Sequence, residues 1–263
     1  MILAYEAAIR FAVFASILAA MALAEAAFPA RERNFPRLSR WPANLLMTAA
    51  NTAVLRFLFP LLAVGAAAWA HARGIGLFHT LPFWAAFAAG LILLDAIIYA
   101  QHWAMHRFAI LWRLHRVHHT DRDVDVTTAL RFHPGEIALS MGVKMAAVIA
   151  LGVPPEAVVV FEVVLNAMAM FNHANWKLPA SVDRVLRAIV VTPDMHRIHH
   201  SLKRDETDSN YGFNLSLWDR LFSTYCPAAS QPQFPLGLQS YQTAMPNNFL
   251  YIVMLPFRSE PLR

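Results

Sequence analysis

The sequence predicts an all-α membrane protein: about three transmembrane helices, then a Pro-interrupted helical hairpin, with a helical cap gathered on one membrane face. Three observations carry this prediction. First, 57% of the 263 residues are hydrophobic and only 15% are charged, against about 25% charged in ordinary soluble domains. Second, the apolar residues collect into four long regions. Third, eight of the twelve histidines fall into three tight clusters, His102/His106, His115/His118/His119 and His196/His199/His200. No internal repeat or low-complexity linker divides the chain, so residues 1–263 read as a single membrane-embedded unit.

The first apolar region, Ile9 to Ala27, is Ala-rich and nearly uncharged. It matches the roughly 20 helical residues that cross a hydrocarbon core. Asn51 to Ala70 is the second span, with Arg56 near its start and Pro60 inside it; Pro82 to Trp103 is the third and carries Asp95. Ile137 to Phe171 is broken at Pro154-Pro155 into two halves of 17 residues each, which suits a tight helical hairpin that enters and returns. Glu156 and Glu162 in its second half are costly in lipid and should face protein or a cavity. Ala22-Leu23-Ala24 resembles a signal-peptide cleavage site, but Glu6 stands where an early positive charge belongs.

Arg31, Arg33, Arg37 and Arg40 lie between the first two spans. They read as membrane anchors and, by the positive-inside rule, place that loop in the cytoplasm and the N-terminus outside. Counting spans then puts all three histidine clusters on the cytoplasmic face. His71 and His79 fall in an outer loop as surface residues. The net charge of +5 comes from arginines flanking apolar spans rather than from a basic face with interleaved aromatics, so no nucleic-acid partner is expected. The single cysteine, Cys226, excludes an internal disulfide, a CxxC redox pair and a thiolate iron–sulfur site.

The clusters read HxxxH, HxxHH and HxxHH. On a helix, residues at i, i+3 and i+4 share a face, so each cluster presents two or three imidazoles together. Neutral imidazole binds iron, zinc, copper and nickel. Eight such donors suit two metals better than one, and the cap is therefore read as metal-binding. No HExxH motif is present to supply a hydrolytic base beside the ligands. Asp95 and Tyr99 share a helical face with His102 and are read as supporting it. Asp194, Glu136 and Asp121 are candidates to hold imidazole N–H groups.

Asp95-xxx-Tyr99-xx-His102-xxx-His106, Leu111-Trp112-Arg113-Leu114-His115-Arg116-Val117-His118-His119 and Arg131-Phe132-His133-Pro134 follow one another in the chain. Asn172-His173-Ala174-Asn175, Thr192-Pro193-Asp194-Met195-His196-Arg197-Ile198-His199-His200-Ser201, Asn210-Tyr211-Gly212 and Leu217-Trp218-Asp219-Arg220-Leu221-Phe222 come after them. In this order the segments, about residues 90–226, resemble the fatty acid hydroxylase/sterol desaturase superfamily. The resemblance implies an integral-membrane, histidine-ligated di-iron enzyme that uses O2 to hydroxylate or desaturate lipids. It makes His102, His106, His115, His118, His119, His196, His199 and His200 catalytic metal ligands and adds His173. Some relatives carry HxxxH at that point where this chain has Lys177, so one metal has fewer protein ligands here or takes another.

Two iron ions are thus the expected cofactor, with zinc able to occupy the same nitrogens without redox chemistry. The expected partners are a lipid substrate, O2, the membrane and an external electron donor, since no flavin, NAD or haem motif is visible. The expected reaction is hydroxylation of a lipid C–H bond. The alternatives are desaturation at the same centre and a non-oxidative metal-binding membrane protein. His133 has two readings, a metal-ligand or supporting role and a helix-start turn with Pro134 at N1 and Glu136 in the first turn. Trp103, Trp112, Trp176 and Trp218 are read as an interface belt. Residues 227–263 contain six prolines and the apolar run Phe249 to Phe257, and read as a partly interfacial tail covering the site.

Overall fold

A computed structural model describes residues 2–229, 231, 233–242 and 247–258. Its elements are α1 (Glu6–Ala27), α2 (Arg37–Leu58), α3 (Ala63–His71), α4 (Phe83–Arg107), α5 (Ala109–His119), α6 (Pro134–Leu151) and α7 (Pro155–His173). The shorter α8 (Ala180–Leu186), α9 (Pro193–His199), α10 (Arg204–Thr207), α11 (Leu217–Leu221) and α12 (Phe249–Met254) follow. No named strand occurs among the described residues; three isolated bridges pin loops together. Five stretches are long and apolar enough to cross a membrane: Ile2–Ala27, Arg37–His71, Phe83–Arg107, Pro134–Leu151 and Pro155–His173. The protein is an all-helical integral membrane protein.

The second span differs from its expected limits. Helix begins at Arg37, fourteen residues before Asn51, and is interrupted between Leu58 and Ala63. Pro60 has no N–H to give, which accounts for the break. The early start has another cause: Arg40, Asn44, Met47 and Asn51 form one buried stripe, and their polar groups find partners in the cap. Arg40 is fully buried and forms ion pairs with Asp121 and Asp125, both at 2.7 Å. Asn44 donates to Thr127 Oγ1 and Asn51 to the Phe132 carbonyl. Arg37 binds Glu25 at 3.0 Å. Arg33 also pairs with Glu25 at 3.8 Å and Arg31 donates to the Phe234 carbonyl at 2.7 Å, so all four arginines read as membrane anchors have partners within the protein.

The Pro154-Pro155 hairpin is also not tight. Gly152 ends α6 in the left-handed region, φ 68°, and Pro155 restarts helix at N1 of α7. The two arms then diverge, and α3 and α4 each pack against both of them. A core of small and branched side chains fills the contact, including Ala63, Ala67, Ala86, Leu94, Val148, Ala157 and Val158. Between membrane helices such close-fitting small residues matter more than apolar burial, because lipid is as apolar as the core. Gly76, at φ 113°, lies against the turn so closely that a Cβ there would sit 2.2 Å from the Gly152 amide nitrogen. The loop from Gly74 to Leu81 is thereby docked on the turn, while His71 and His79 are exposed.

Helix α7 is central: half of its apolar window is buried, against none of that of α1. The wedge of α3 and α4 leaves a cavity of about 1090 Å³ that reaches from His102 and His115 to Lys144 and Glu162. The tail docks on the cap, with Ile252 and Leu255 fully buried and Leu250, Met254 and Phe257 exposed. Arg116 holds the Leu255 carbonyl at 2.8 Å. Pro232, Pro246 and Pro261 of the tail lie outside the described residues.

Candidate metal centre

Nine buried imidazoles converge where α4, α5, α7 and α9 meet. His102 and His106 come from the last turns of α4, His115, His118 and His119 from α5, and His173 from the end of α7. His196 and His199 come from α9, with His200 as its C-cap. Their nitrogens sort into two groups, His102/His106/His115/His119/His199 and His118/His173/His196/His200. Within each group the ligating atoms all lie within 4.8 Å of one another. Each HxxHH box is divided between the groups. His115 and His119, at i and i+4, serve the first while His118 serves the second; His196 and His200 serve the second while His199 serves the first. Helical periodicity makes this split, since i and i+4 share a face that i+3 borders.

The hydrogen bonds settle which nitrogen faces inward. His102 Nδ1 donates to the Tyr211 carbonyl at 2.7 Å, His199 Nδ1 to that of Ser209 at 2.7 Å, and His173 Nδ1 to that of Ala169 at 2.6 Å. His115 Nδ1 donates to Glu136 Oε1 at 2.7 Å. A carbonyl or carboxylate oxygen can only accept, so these rings carry the proton on Nδ1 and turn a bare Nε2 lone pair inward. His102 Nε2 and His115 Nε2 then face each other at 3.1 Å with no hydrogen to share. His119 and His115 meet at 3.2 Å, and His173 meets His118 and His196 at 3.0 Å each. Two nitrogens bound at right angles to one ion at about 2.1 Å lie about 3.0 Å apart. The donor set thus fits a metal ion in each group.

Burial supports the same reading. It pushes the imidazoles of His118, His119, His196 and His200 well below their ordinary pKa, and neighbouring imidazoles push them further. The rings are therefore neutral, the form that binds metal. His200 is fully buried with neither ring nitrogen hydrogen-bonded among the described residues. An uncompensated polar atom of this kind is costly, and a ligand role relieves it. Lys177 is exposed, which leaves the second group with four imidazoles.

The residues expected to support the histidines divide. Glu136 holds His115 directly. Asp95 accepts from Trp218 Nε1 at 2.8 Å and the Leu215 amide at 3.1 Å, fastening α4 to the loop that presents Tyr211. Tyr99 shares a hydrogen bond with Thr224 Oγ1 at 2.8 Å. Asp194 pairs with Arg197, and Asp121 with Arg40. His133 lies outside both groups. It caps α6, its Nδ1 accepting from the Gly135 amide at 3.0 Å with Pro134 at N1, which is the helix-start reading. Trp112 and Trp218 are buried; the Trp112 ring packs 5.0 Å from that of His106, and Trp218 binds Asp95. Neither belongs to an interface belt, whereas Trp103 is exposed.

The carbonyls of Ser209 and Tyr211 and the carboxylate of Asp208, 3.4 Å from His106 Nδ1, were not legible as site groups. The signal that points to them is Asn210, whose φ of 51° is a conformation that Asn tolerates better than most residues. Its side chain donates to the Met195 and Cys226 carbonyls, which fixes the turn and aims the flanking carbonyls at His199 and His102.

The sequence model of the fatty acid hydroxylase family matches residues 87–224. The ornithine lipid hydroxylase OlsE of Rhizobium tropici is 29% identical over 136 residues, which make up 52% of this chain and 40% of that protein. The alkylglycerol monooxygenase of Homo sapiens is 31% identical over 129 residues, 48% of this chain and 27% of that protein. That of Danio rerio is 30% identical over 151 residues, 57% of this chain and 31% of that protein. The matched stretch spans less than half the length of each of these relatives. No solved structure matches the chain. Nine imidazoles in two groups lie within the matched stretch, which is more than half of the 263 residues: the chain belongs to the fatty acid hydroxylase family.

Proposed function

We propose that the protein hydroxylates a C–H bond of a lipid with O2 at a pair of iron ions held by the nine histidines. The observation that carries this reading is two groups of inward-facing neutral imidazoles at the end of a lipid-sized, membrane-embedded cavity. His102, His106, His115, His119 and His199 would hold one ion and His118, His173, His196 and His200 the other. Bound iron supplies the redox chemistry that activates O2 for C–H cleavage; zinc in the same nitrogens would not. The balance is R–H + O2 + 2 e⁻ + 2 H⁺ → R–OH + H2O. The electrons come from an external donor, and desaturation differs by leaving no oxygen in the lipid.

The protein's own groups bind and position. The Tyr211 carbonyl and Glu136 fix the His102 and His115 rings at the cavity wall. Ile98, Met105, Met170 and Phe213 line the space beside them, where apolar surface excludes water from the reacting carbon. The names of the two kinds of relative, a lipid hydroxylase and a monooxygenase, support the reaction class. Exposed Arg107, Arg184, Lys203, Arg204 and Arg220 stand on the side of the histidines, which supports a cytoplasmic cap and an outside N-terminus.

Metal analysis and Mössbauer spectroscopy of anaerobically purified protein test the centre, with two irons per chain expected. Product from labelled O2 should carry one 18O atom. A double bond without label identifies a desaturase, and turnover by zinc-loaded protein without O2 overturns the oxidative reading.

A further inference from the structure

Three charged side chains meet inside the membrane-spanning bundle, away from the histidines. Lys144 of α6 and Glu162 of α7 pair at 2.5 Å, and Arg10 of α1 holds the other Glu162 oxygen at 2.6 Å. Lys144 and Glu162 are buried and Arg10 is partly exposed. Ionisable groups within spans are costly and mark function by default. As a tie between the splayed arms alone, one cation and one anion would suffice. The third charge leaves the cluster with an excess of one positive charge. Glu6 of α1 and Arg56 of α2 also line the cavity and carry one charge of each sign.

All three residues line the same cavity as His102 and His115. Lys144 stands eight residues along α6 from Glu136, which touches His115, and Glu162 stands eleven residues before His173 on α7. At a rise of 1.5 Å per residue these separations are about 12 and 16 Å along the helix axes. An extended chain advances about 1.2 Å per bond, as a polypeptide does over its three backbone bonds. The gap is therefore about ten to thirteen bonds.

We infer that Arg10, Lys144 and Glu162 form a polar subsite that holds an anionic oxygen group of the lipid, a carboxylate or a phosphate, and so fixes which carbon lies at the histidines. This rests on the cavity being the substrate's berth, as proposed above. Glu162 orients the two cations, which donate to the anion while its hydrocarbon runs toward His102 and His115. The oxidised carbon is then counted from the polar group and lies mid-chain.

The test is equilibrium binding of radiolabelled palmitate, hexadecyl phosphate and methyl palmitate to the detergent-solubilised full chain, without O2 or reductant. At least one anion should bind about tenfold more tightly than the ester, the effect of a charge-assisted hydrogen bond in a buried site; the tighter anion identifies the group. Lys144→Met should abolish the preference while leaving ester binding unchanged, and Lys144→Arg should restore it. If Lys144→Met does not fold, Arg10→Gln at the partly exposed position should reduce the preference. Equal binding of all three lipids by the native chain, equal loss of anion and ester in Lys144→Met, or an unaltered preference in Arg10→Gln would overturn the subsite. Binding is read without turnover, so a failed oxidation assay and a failed preference remain separate results.

Discussion

The two histidine groups share a fold and a burial depth but differ in how their rings are held. In the five-membered group, His102, His115 and His199 are each anchored through Nδ1, by Tyr211, Glu136 and Ser209, and His106 faces Asp208. In the four-membered group only His173 is anchored in this way, to Ala169; the Nδ1 atoms of His118, His196 and His200 have no hydrogen-bond partner among the described residues. Groups that fix a ligand ring raise its basicity and limit its orientations. The five-histidine group is thus the more firmly held array, with only His119 Nδ1 lacking a partner among the described residues, and the four-histidine group the looser one.

The largest effect should come from deleting one ligand on each side. His199→Ala and His200→Ala should both lower oxidation at least about a thousandfold, roughly 4 kcal/mol of barrier. His200→Ala, left with three imidazoles, should also lose about one ion per chain, while His199→Ala retains four donors and more of its metal. Metal analysis that finds equal losses breaks the comparison. A chelator titration sharpens it: the four-histidine ion should leave first, from a site weaker by about ten- to a hundredfold. Glu136→Gln should weaken the first site by a similar factor and leave the second unchanged, read as two separate release phases.

Acid should act on the metal-free chain through both groups. Folding holds His118, His119, His196 and His200 well below their ordinary pKa of about 6.5. As pH falls through that value, the unfolded chain takes up protons that the folded chain refuses. Stability should be intact above about pH 6.5 and decline progressively below it, with bound metal delaying the loss. Thermal unfolding of metal-free protein at several pH values measures this, and greater stability at pH 5 than at pH 7 would contradict it. The smallest effect is that of Trp218→Phe. It removes one hydrogen bond to Asp95, for a cost of about 1 kcal/mol and a fall in Tm of about 2–4 °C.

The convergence of the histidine clusters was legible because HxxHH has a helical meaning in the sequence itself, and apolar length made the bundle legible in the same way. Partition of the histidines into five and four was not, because it depends on how α5 and α9 rotate against each other. The anchoring carbonyls carry no side-chain signature, and only the strained turn at Asn210 marks them. Arg40 shows the opposite failure. An arginine beside an apolar run reads as an interface anchor until Asp121 and Asp125, more than eighty residues away, are brought to it. Likewise Pro154-Pro155 announces a turn but not the splay, which α3 and α4 impose.

That splay bears on how the protein is made. The apolar window of α7 has a mean hydropathy of 1.3, against 2.1 for that of α1, and it carries Glu162. Presented alone to the insertion machinery, α7 offers a carboxylate to lipid and a modest apolar stretch to offset it. Lys144 precedes it by eighteen residues, close enough to arrive in the same hairpin and neutralise the acid before either arm is released sideways. The expected consequence is that α6 and α7 enter the bilayer together, with Lys144 offsetting Glu162, and that α3 and α4 pack against both arms.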